Sequence, residues 1–557
     1  MIPNFRQTPN STSVPLTLAG SSTFGKYAKI SVEKTFNMFL SDEWLVNFAG
    51  YTRVLRFESG TLDASGAKEY ITAGEGRGIF HSIRANIIVV VINEKVFVVD
   101  ANLGATPLPL NLSTASGEVF MDENLHDQIC IVDGTNAYIY NYTLPANLTL
   151  QTGAPFGTTL TPNFVSYHNT YFLFGNALTN SDGHFWFAFS RLADTTIVAT
   201  TDGINTFAVE TKPDFALAVI RLPSQSDNVL VFGRAVIEMW SQVGGVQNYR
   251  RVSTINIDSG CTSISTIASS EDSVFWLGRT QNNAPVIMRF RGNNHEQISS
   301  DGIDKLLQDV VEPESSTAAI YRQDGHIFYQ LTFFGASDNF TIIYDLDTEK
   351  FFNLTDQYLN YHPARETVYF NGKWLFVGIN KPFLYEQSTD FFVINESFGE
   401  DADEVAAFPN RFVWDMQYIR ICNSIRNDTT GRFRLNSLSF PIQQGFDPQC
   451  TGGTDFDYIV MEDDITDIIT TETGSEMVTE TSIGTSIDKQ CPRIDLSFSK
   501  DGGYTWSNTF AREMQELGHR RNIVTFKGLG SCNEIVCKFR FWIRSPVIVG
   551  NGMAEVY

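Results

Sequence analysis

Seven times along this chain a run of β-branched and aromatic residues is followed by a polar or glycine turn and a second such run. The units are 87–100 (IIVVVINEKVFVVD), 128–141 (QICIVDGTNAYIYN), 171–190 (with FLFG and HFWFAFS) and 228–241 (NVLVFGRAVIEMWS). The last three are 273–290 (SVFWLG, then PVIMRF), 326–346 (HIFYQLTFF, then FTIIYDL) and 373–386 (KWLFVGINKPFLYE). Such residues fit the pleated, half-buried surface of a strand. Turns such as Asp133-Gly134 and Asn371-Gly372 are strong hairpin or strand-connector signals. The middles of the units lie roughly 40–56 residues apart, which is the size of a propeller blade. One blade is a four-stranded antiparallel sheet, and each unit would supply its inner hairpin. Neither Trp-Asp nor kelch signatures recur, so the repeat is degenerate, and the competing arrangement is a set of unrelated hairpins in stacked sandwiches. The regular spacing favours an all-β fold whose core, residues 61–395, is β-propeller-like with six or seven blades.

The flanks read differently. Residues 1–60 contain Pro, Ser, Thr and Gly and predict an extended N-terminal arm and strand. The acidic run Glu400-Asp401-Ala402-Asp403-Glu404 marks a solvated boundary. Beyond it, residues 396–557 form a C-terminal β-rich domain with the segments MQYIRICNS, RFRLNSLSF, RIDLSFS and VCKFRFWIRS. The acidic, Thr-rich stretch 451–485 interrupts that domain as an insertion, either a protruding loop or mobile disorder. Helix is scarce. The best candidate is 300–311 (SDGIDKLLQDVV), with Ile303, Leu306, Leu307 and Val310 on one face and Ser300 or Asp301 as cap.

Charge narrows the function. The chain has 40 Lys and Arg against 63 Asp and Glu, a net charge of −23. Between Arg434 and Lys489 there are acids and no base. A protein that grips nucleic acid normally shows the opposite sign, because Lys and Arg supply the affinity by releasing counterions. Tight DNA binding is disfavoured; letting DNA pass is not. No window approaches the ~18 uninterrupted apolar residues of a membrane span, and the polar start Met1-Ile2-Pro3-Asn4 lacks an apolar signal core, so synthesis in a cytosol is expected. The seven cysteines, an odd number with no Cys-x-x-Cys pair, argue against a disulfide framework or zinc site.

Few motifs carry chemistry. Ser499-Lys500-Asp501-Gly502-Gly503-Tyr504-Thr505-Trp506 fits the Asp-box pattern S-x-D-x-G-x-T-W of sialidase-type propellers. Asp501 can bond turn N–H groups, Gly503 can take a positive φ and Trp506 can pack beneath the hairpin, so the box reads as a turn stabiliser. A glycosidase would need a carboxylate pair, or a Tyr nucleophile with an Arg cluster, and nothing singles one out. Glu462-Asp463-Asp464 reads as a solvated face without the EF-hand pattern. The eight His residues (81, 126, 168, 184, 295, 326, 362 and 519) show no H-x-H or HExxH spacing. Gly74-Glu75-Gly76-Arg77-Gly78 is no phosphate loop, lacking a Lys-Ser/Thr and a βα context, and His519-Arg520-Arg521 is a weak basic patch. No catalytic, cofactor-binding or metal-ligating residue is assigned, no cofactor is expected, and the chain reads as a structural protein and not an enzyme.

Several short segments, in order, resemble the packaged-DNA stabilisation family, the tail-hub proteins of short-tailed bacteriophages. Phe36-Asn37-Met38-Phe39 and Phe48-Ala49-Gly50-Tyr51 are similar to the family's "VNM" and "FPGI/L" patterns, although Ala49 stands where Pro is usual. Gly76-Arg77-Gly78 resembles an "SRG" element. Pro213-Asp214, Phe232-Gly233 and Ile237-Glu238-Met239-Trp240-Ser241 resemble an "FG…IEyfS" strand pair. Gly260-Cys261, Ala284-Pro285-Val286 and the helix around Ile303–Leu307 follow in family order, and Ser545-Pro546-Val547 is like the family's "KSPV" terminus. The resemblance implies a virion protein that forms a homo-hexameric ring below the portal and its adaptor ring. That ring would extend and close the DNA channel, retain packaged DNA and anchor a tail needle or nozzle and neighbouring spikes or fibres. An acidic lumen would let double-stranded DNA slide through without specific binding. Two other readings stand beside it: a sialidase-like propeller glycosidase, and a receptor-binding tail protein with exposed aromatic platforms.

Overall fold

The computed structural model describes residues 12–24, 33–62, 68–144, 147–189, 204–244, 248–280, 282, 284–396, 413–426, 431–444, 492–514 and 522–557. The expected acidic insertion 451–485, the acidic boundary at 400–404 and the basic group at 519–521 lie outside them.

Seven four-stranded antiparallel blades surround one axis, as a β-propeller. Blade 1 comprises Gly76–Ser82, Ile87–Ile92, Lys95–Val99 and Ala105–Pro107, and blade 2 runs from Phe120–Glu123 to Leu148–Leu150. Blades 3 and 4 begin at Pro162–His168 and Ala218–Arg221. Blade 5 has a split inner edge, Gly260–Cys261 and Ala268–Ser269. Blade 6 starts at Ser316–Gln323 and ends at Lys350–Leu354. Blade 7 holds Ala364–Phe370, Lys373–Gly378 and Lys381–Ser388.

The seven apolar units are the second and third strands of the seven blades, not the innermost pair. The physical reason is plain. Middle strands are covered on both faces by neighbouring blades, so they read as continuous Val, Ile, Leu and Phe runs, with Ile88 to Ile92 and Val229 to Phe232 fully buried. The first strand of each blade faces the axis and carries more polar residues.

Closure of the ring draws on a distant segment. The fourth strand of blade 7 is Gly50–Arg56, antiparallel to Lys381–Ser388 with Gln387 opposite Tyr51. The other described strands that precede Gly50 are also paired. Thr12–Leu16 runs antiparallel to Gly552–Val556 at the chain's end. Met38–Ser41 and Trp44–Asn47 form a hairpin whose second strand pairs with Val547–Val549. Lys34–Phe36 bridges blade 6 to Tyr418–Ile421, which continues through Glu534–Trp542 to Arg493–Ser499. The C-terminal β region is thus joined to the propeller through shared sheets, with a core including Leu438, Phe440, Phe526 and Phe539.

The single α-helix among the described residues is Asp301–Gln308, shorter at both ends than 300–311. Ile303 and Leu307 are buried against blades 5 and 6, while Leu306 and Val310 pack partly. Ser300 makes no side-chain cap; the Ser299 hydroxyl bonds Asp304 instead, at 2.5 Å. The Val310 N–H turns to Leu307 and the Val311 N–H to Asp338, which ends the helix.

Candidate functional site

The first strands of the blades enclose an axial cavity of about 300 Å³, lined from blade 1 by Phe80, from blade 2 by Phe120 and Asp122, and from blade 3 by Phe164. Blades 4 to 7 add Ile220, Ala268, Ala318 and Glu366. With Phe80, Phe120 and Phe164 among its walls, the cavity is narrow. A double helix, whose major groove alone is about 12 Å wide, does not pass through it.

Three carboxylates, Glu118, Asp122 and Glu366, face this cavity, and sequence reasoning missed them because they lie far apart in the chain and in no motif. Burial pushes the Glu118 carboxyl up to about 7, against the pull of Arg365 and of hydroxyls from Ser265 and Thr317. Glu366 rises to about 8, mainly by burial and then by the neighbouring Glu118 charge. Asp122 is also raised by burial, although Arg221 and the backbone N–H groups of Tyr167 and Glu123 favour its charged form. Glu118 and Glu366 lie where the ring closes, whereas Asp122 faces Tyr167 and Arg221 of blades 3 and 4. Glu366 of blade 7 accepts the Ile79 N–H of blade 1 at 3.2 Å. Arg365 of blade 7 pairs with Glu75 at 2.5 Å and lies 4.0 Å from Glu118, just ahead of blade 2. The arrangement holds protons and ion pairs across a seam.

The Gly76-Arg77-Gly78 element belongs to the same seam. A Cβ on Gly76 would come within 2.6 Å of Val377 Cβ in blade 7, and one on Gly78 within 2.4 Å of the Val119 carbonyl. Both neighbours require glycine. Between them the fully buried Arg77 donates to the carbonyls of Asn93, Thr114 and Gly117 and to the Thr114 hydroxyl.

Two further motif residues act as turn clamps. Asp214 accepts the N–H groups of Arg234, Ala235 and Val236 at 2.7–3.0 Å, fixing the turn after Phe232-Gly233. Glu238, fully buried, accepts the N–H groups of Glu210 and Thr211 and the Trp240 indole N–H at 3.0 Å. Asp133 repeats the device in blade 2, taking the N–H groups of Thr135, Asn136 and Ser113. What recurs between blades is therefore a hydrogen-bond function, not a sequence signature.

The Asp box forms a turn in the C-terminal region. Asp501 accepts the N–H of Tyr504 and Thr505 and both the Ser499 and Thr505 hydroxyls. Those bonds, the Ser499 hydroxyl first, hold its carboxyl down at about 2. Gly502 and Gly503 have φ of 75° and 98°, and Lys538 lies over the Trp506 ring at 4.5 Å. Every acceptor position of Asp501 is spent on its own turn.

Among the described residues, His326, Asp345 and Asp347 form the one trio whose candidate metal-ligating atoms lie within 4.8 Å of one another. The trio already has a structural use. His326 Nδ1 is 2.9 Å from Asp345 Oδ2 and its Nε2 is 3.2 Å from Ser41 Oγ. Asp345 also takes the Thr348 hydroxyl and the Asp347 N–H. The ring packs against Phe39 and Phe328, so the N-terminal hairpin is latched to blade 6. The described cysteines, 130, 261, 422, 532 and 537, are free and buried.

A family model described as "Bacteriophage P22 Gp10, beta-propeller" matches residues 33–389, which is more than half of the chain. The chain belongs to this phage stabilisation family. It is a structural phage family and not a known enzyme family. The matched stretch holds all seven blades and the closing strand Gly50–Arg56, and it ends just after Lys381–Ser388, the third strand of blade 7. The Asp box and every described strand of the C-terminal region lie beyond it. No curated protein matches the sequence. Among solved structures, the N-terminal domain of Nup159 is 9% identical, with 62% of this chain and 96% of that chain covered at a TM-score of 0.37. The extracellular domain of the putative hybrid two-component system BT4673 from B. thetaiotaomicron is 8% identical, covering 61% and 40% at a TM-score of 0.39. Overlap at that level carries no functional information. For this phage stabilisation protein, no helix among the described residues is long and apolar enough to cross a membrane.

Proposed function

We propose that the protein assembles as a ring, six copies in the reading that the family resemblance favours, below the portal and its adaptor ring of a short-tailed phage. There it extends and closes the DNA channel, retains the packaged genome and anchors the distal needle or nozzle and neighbouring spikes or fibres. The observation that carries this reading is the narrow axial cavity of the propeller, too small for a duplex, in a family of structural phage proteins. With no path for a duplex through one subunit, the channel lies between subunits. Each copy carries a net charge of −23, so a lumen walled by such surfaces repels phosphate and lets the genome slide.

The test is assembly. Purified protein is mixed with the portal–adaptor complex and its mass measured alone and in complex, with cryo-EM of the virion vertex as the second arm. A ring with a lumen wide enough for a duplex is expected. A chain that stays monomeric, fails to bind the portal–adaptor complex and is absent from the vertex overturns the reading.

A further inference from the structure

The C-terminal sheet turns one face to its core and the other outward. Along Glu534–Trp542, Phe539 and Phe541 are fully buried, and Lys538, Arg540 and Trp542 alternate with them on the opposite, partly exposed face. The exposed Lys34 stands in line with Lys538 on that face, because Ile421 is the paired neighbour of both. Trp542 carries Arg493 and Arg540 against its ring, each 5.4 Å from the ring centre. Burial first, and then the adjacent Arg540 charge, lower the Lys538 pKa from its ordinary value.

The carboxylates around this face are taken. Asp495, opposite Arg540, accepts the Trp542 indole N–H at 2.7 Å, and Glu33 pairs with the buried Arg420. Asp415 holds Arg544 and Glu534 holds Arg426, both at 2.6 Å. Glu513, beside Arg493 on the edge strand, is exposed. Among the described residues no carboxylate forms an ion pair with Lys34, Lys538 or Arg540. Acids outnumber bases 63 to 40 in the chain, yet these three neighbouring cations have no acid of their own.

Such a face suits an anionic surface. Nucleic acid is the poorer fit. Three phosphate contacts fall well short of the ~6–10 of a firm DNA binder, and a chain at −23 repels the rest of a duplex. The Trp542 ring, already flanked by two guanidinium groups, has little left to offer a stacked base. A protein surface needs only a few pairs, and Trp and Arg are enriched where proteins meet. In a closed ring each copy offers one patch and receives a different one. We infer that this face, centred on Lys34, Lys538 and Arg540, docks the acidic surface of the neighbouring copy. This contact presupposes the ring proposed above and names the face that closes it. All three cations project from paired strands, so their placement does not depend on the Asp-box turn.

Rings of the full chain are formed on the portal–adaptor complex, and their mass is measured over a range of protein and salt concentration. Wild-type rings are expected to weaken as salt rises, because charges make the contact. Lys538→Glu with Arg540→Glu is expected to raise the concentration for half-assembly roughly tenfold or more. Lys34→Glu, an exposed change on another strand, acts in the same direction and keeps the test valid if the double variant does not fold. Lys538→Arg retains the charge and is expected to assemble as the wild type does. Carbodiimide cross-linking of mixed isotopically light and heavy copies is expected to join Lys34 or Lys538 to an Asp or Glu of another copy. Rings that form unchanged in the Glu variants overturn this contact and leave ring assembly standing, whereas a wild type that forms no rings overturns both. Glu variants that keep their rings but lose binding to a duplex oligonucleotide in fluorescence anisotropy overturn it in favour of nucleic acid.

Discussion

Arg365 in blade 7 holds Glu75, just ahead of blade 1, at 2.5 Å across the seam where the propeller closes on itself. Arg365 is nearly fully buried and also faces Glu118, while Glu75 additionally accepts the Gly117 N–H. Ring closure thus depends on electrostatics as well as on the borrowed strand Gly50–Arg56. Replacing Arg365 by Met leaves two carboxylates without their cation in a low-dielectric setting. A loss of about 2–4 kcal/mol and a lower Tm are expected in thermal unfolding. An unchanged Tm would mean that the strand alone closes the ring.

The raised carboxyls at the axis make stability fall as pH rises. Glu366, at about 8, and Glu118, at about 7, keep their protons in the folded state long after the unfolded chain has lost them near pH ~4.3. Between those limits the folded form binds more protons, so stability declines from about pH 5 to pH 8. Glu366→Gln removes part of that slope and is expected to gain on the order of 2 kcal/mol at pH 8, and little at pH 5. Parallel pH profiles of wild type and variant would show that the axis is not the source.

His362 acts in the opposite direction. It is buried beside Tyr51 and Phe376, and burial, aided by Lys381, depresses its pKa to about 3. Unfolding releases a histidine that takes up a proton below pH ~6.5, so stability is lost as pH falls from there toward 3. His362→Gln is expected to flatten this acid limb in urea titrations between pH 7 and 4, at some cost in packing. A limb of unchanged steepness refutes the assignment.

Asp214 is expected to matter more than its position in a connection suggests. Asp214→Ala leaves the N–H groups of Arg234, Ala235 and Val236 without their acceptor, a loss of about 2–3 kcal/mol. Asp214→Asn keeps the shape and one acceptor and should retain roughly half of the stability difference. Hydrogen exchange at those three amides reads the effect locally; protection that survives Asp214→Ala counts against the clamp.

The Asp box offers a contrast. Asp501→Ala should loosen the turn 499–506 without altering assembly, because its bonds all fall within that turn. The depressed carboxyl makes this contribution present above pH ~4 and lost as pH falls through about 2. The check is a thermal shift together with the ring-assembly mass; a change in mass would assign the box an interface role.

The seven apolar units at blade-sized spacing were enough to specify an all-β propeller, because a strand covered on both faces must be apolar throughout, and that pattern is written in one dimension. Gly76-Arg77-Gly78, Asp214 and Glu238 were visible in sequence only as fragments of a resemblance. Their reasons, a strand squeezed between two blades and turns clamped by buried carboxylates, depend on neighbours 20 to 300 residues away. The same holds for Glu118, Glu366 and Arg365, which are unremarkable in sequence and meet only because blade 7 returns to blade 1. Local periodicity encodes what each segment buries. Which polar side chains then share a closed ring's interior is a long-range outcome, set by the pairing of Gly50–Arg56 with Lys381–Ser388 and written in no single stretch of chain.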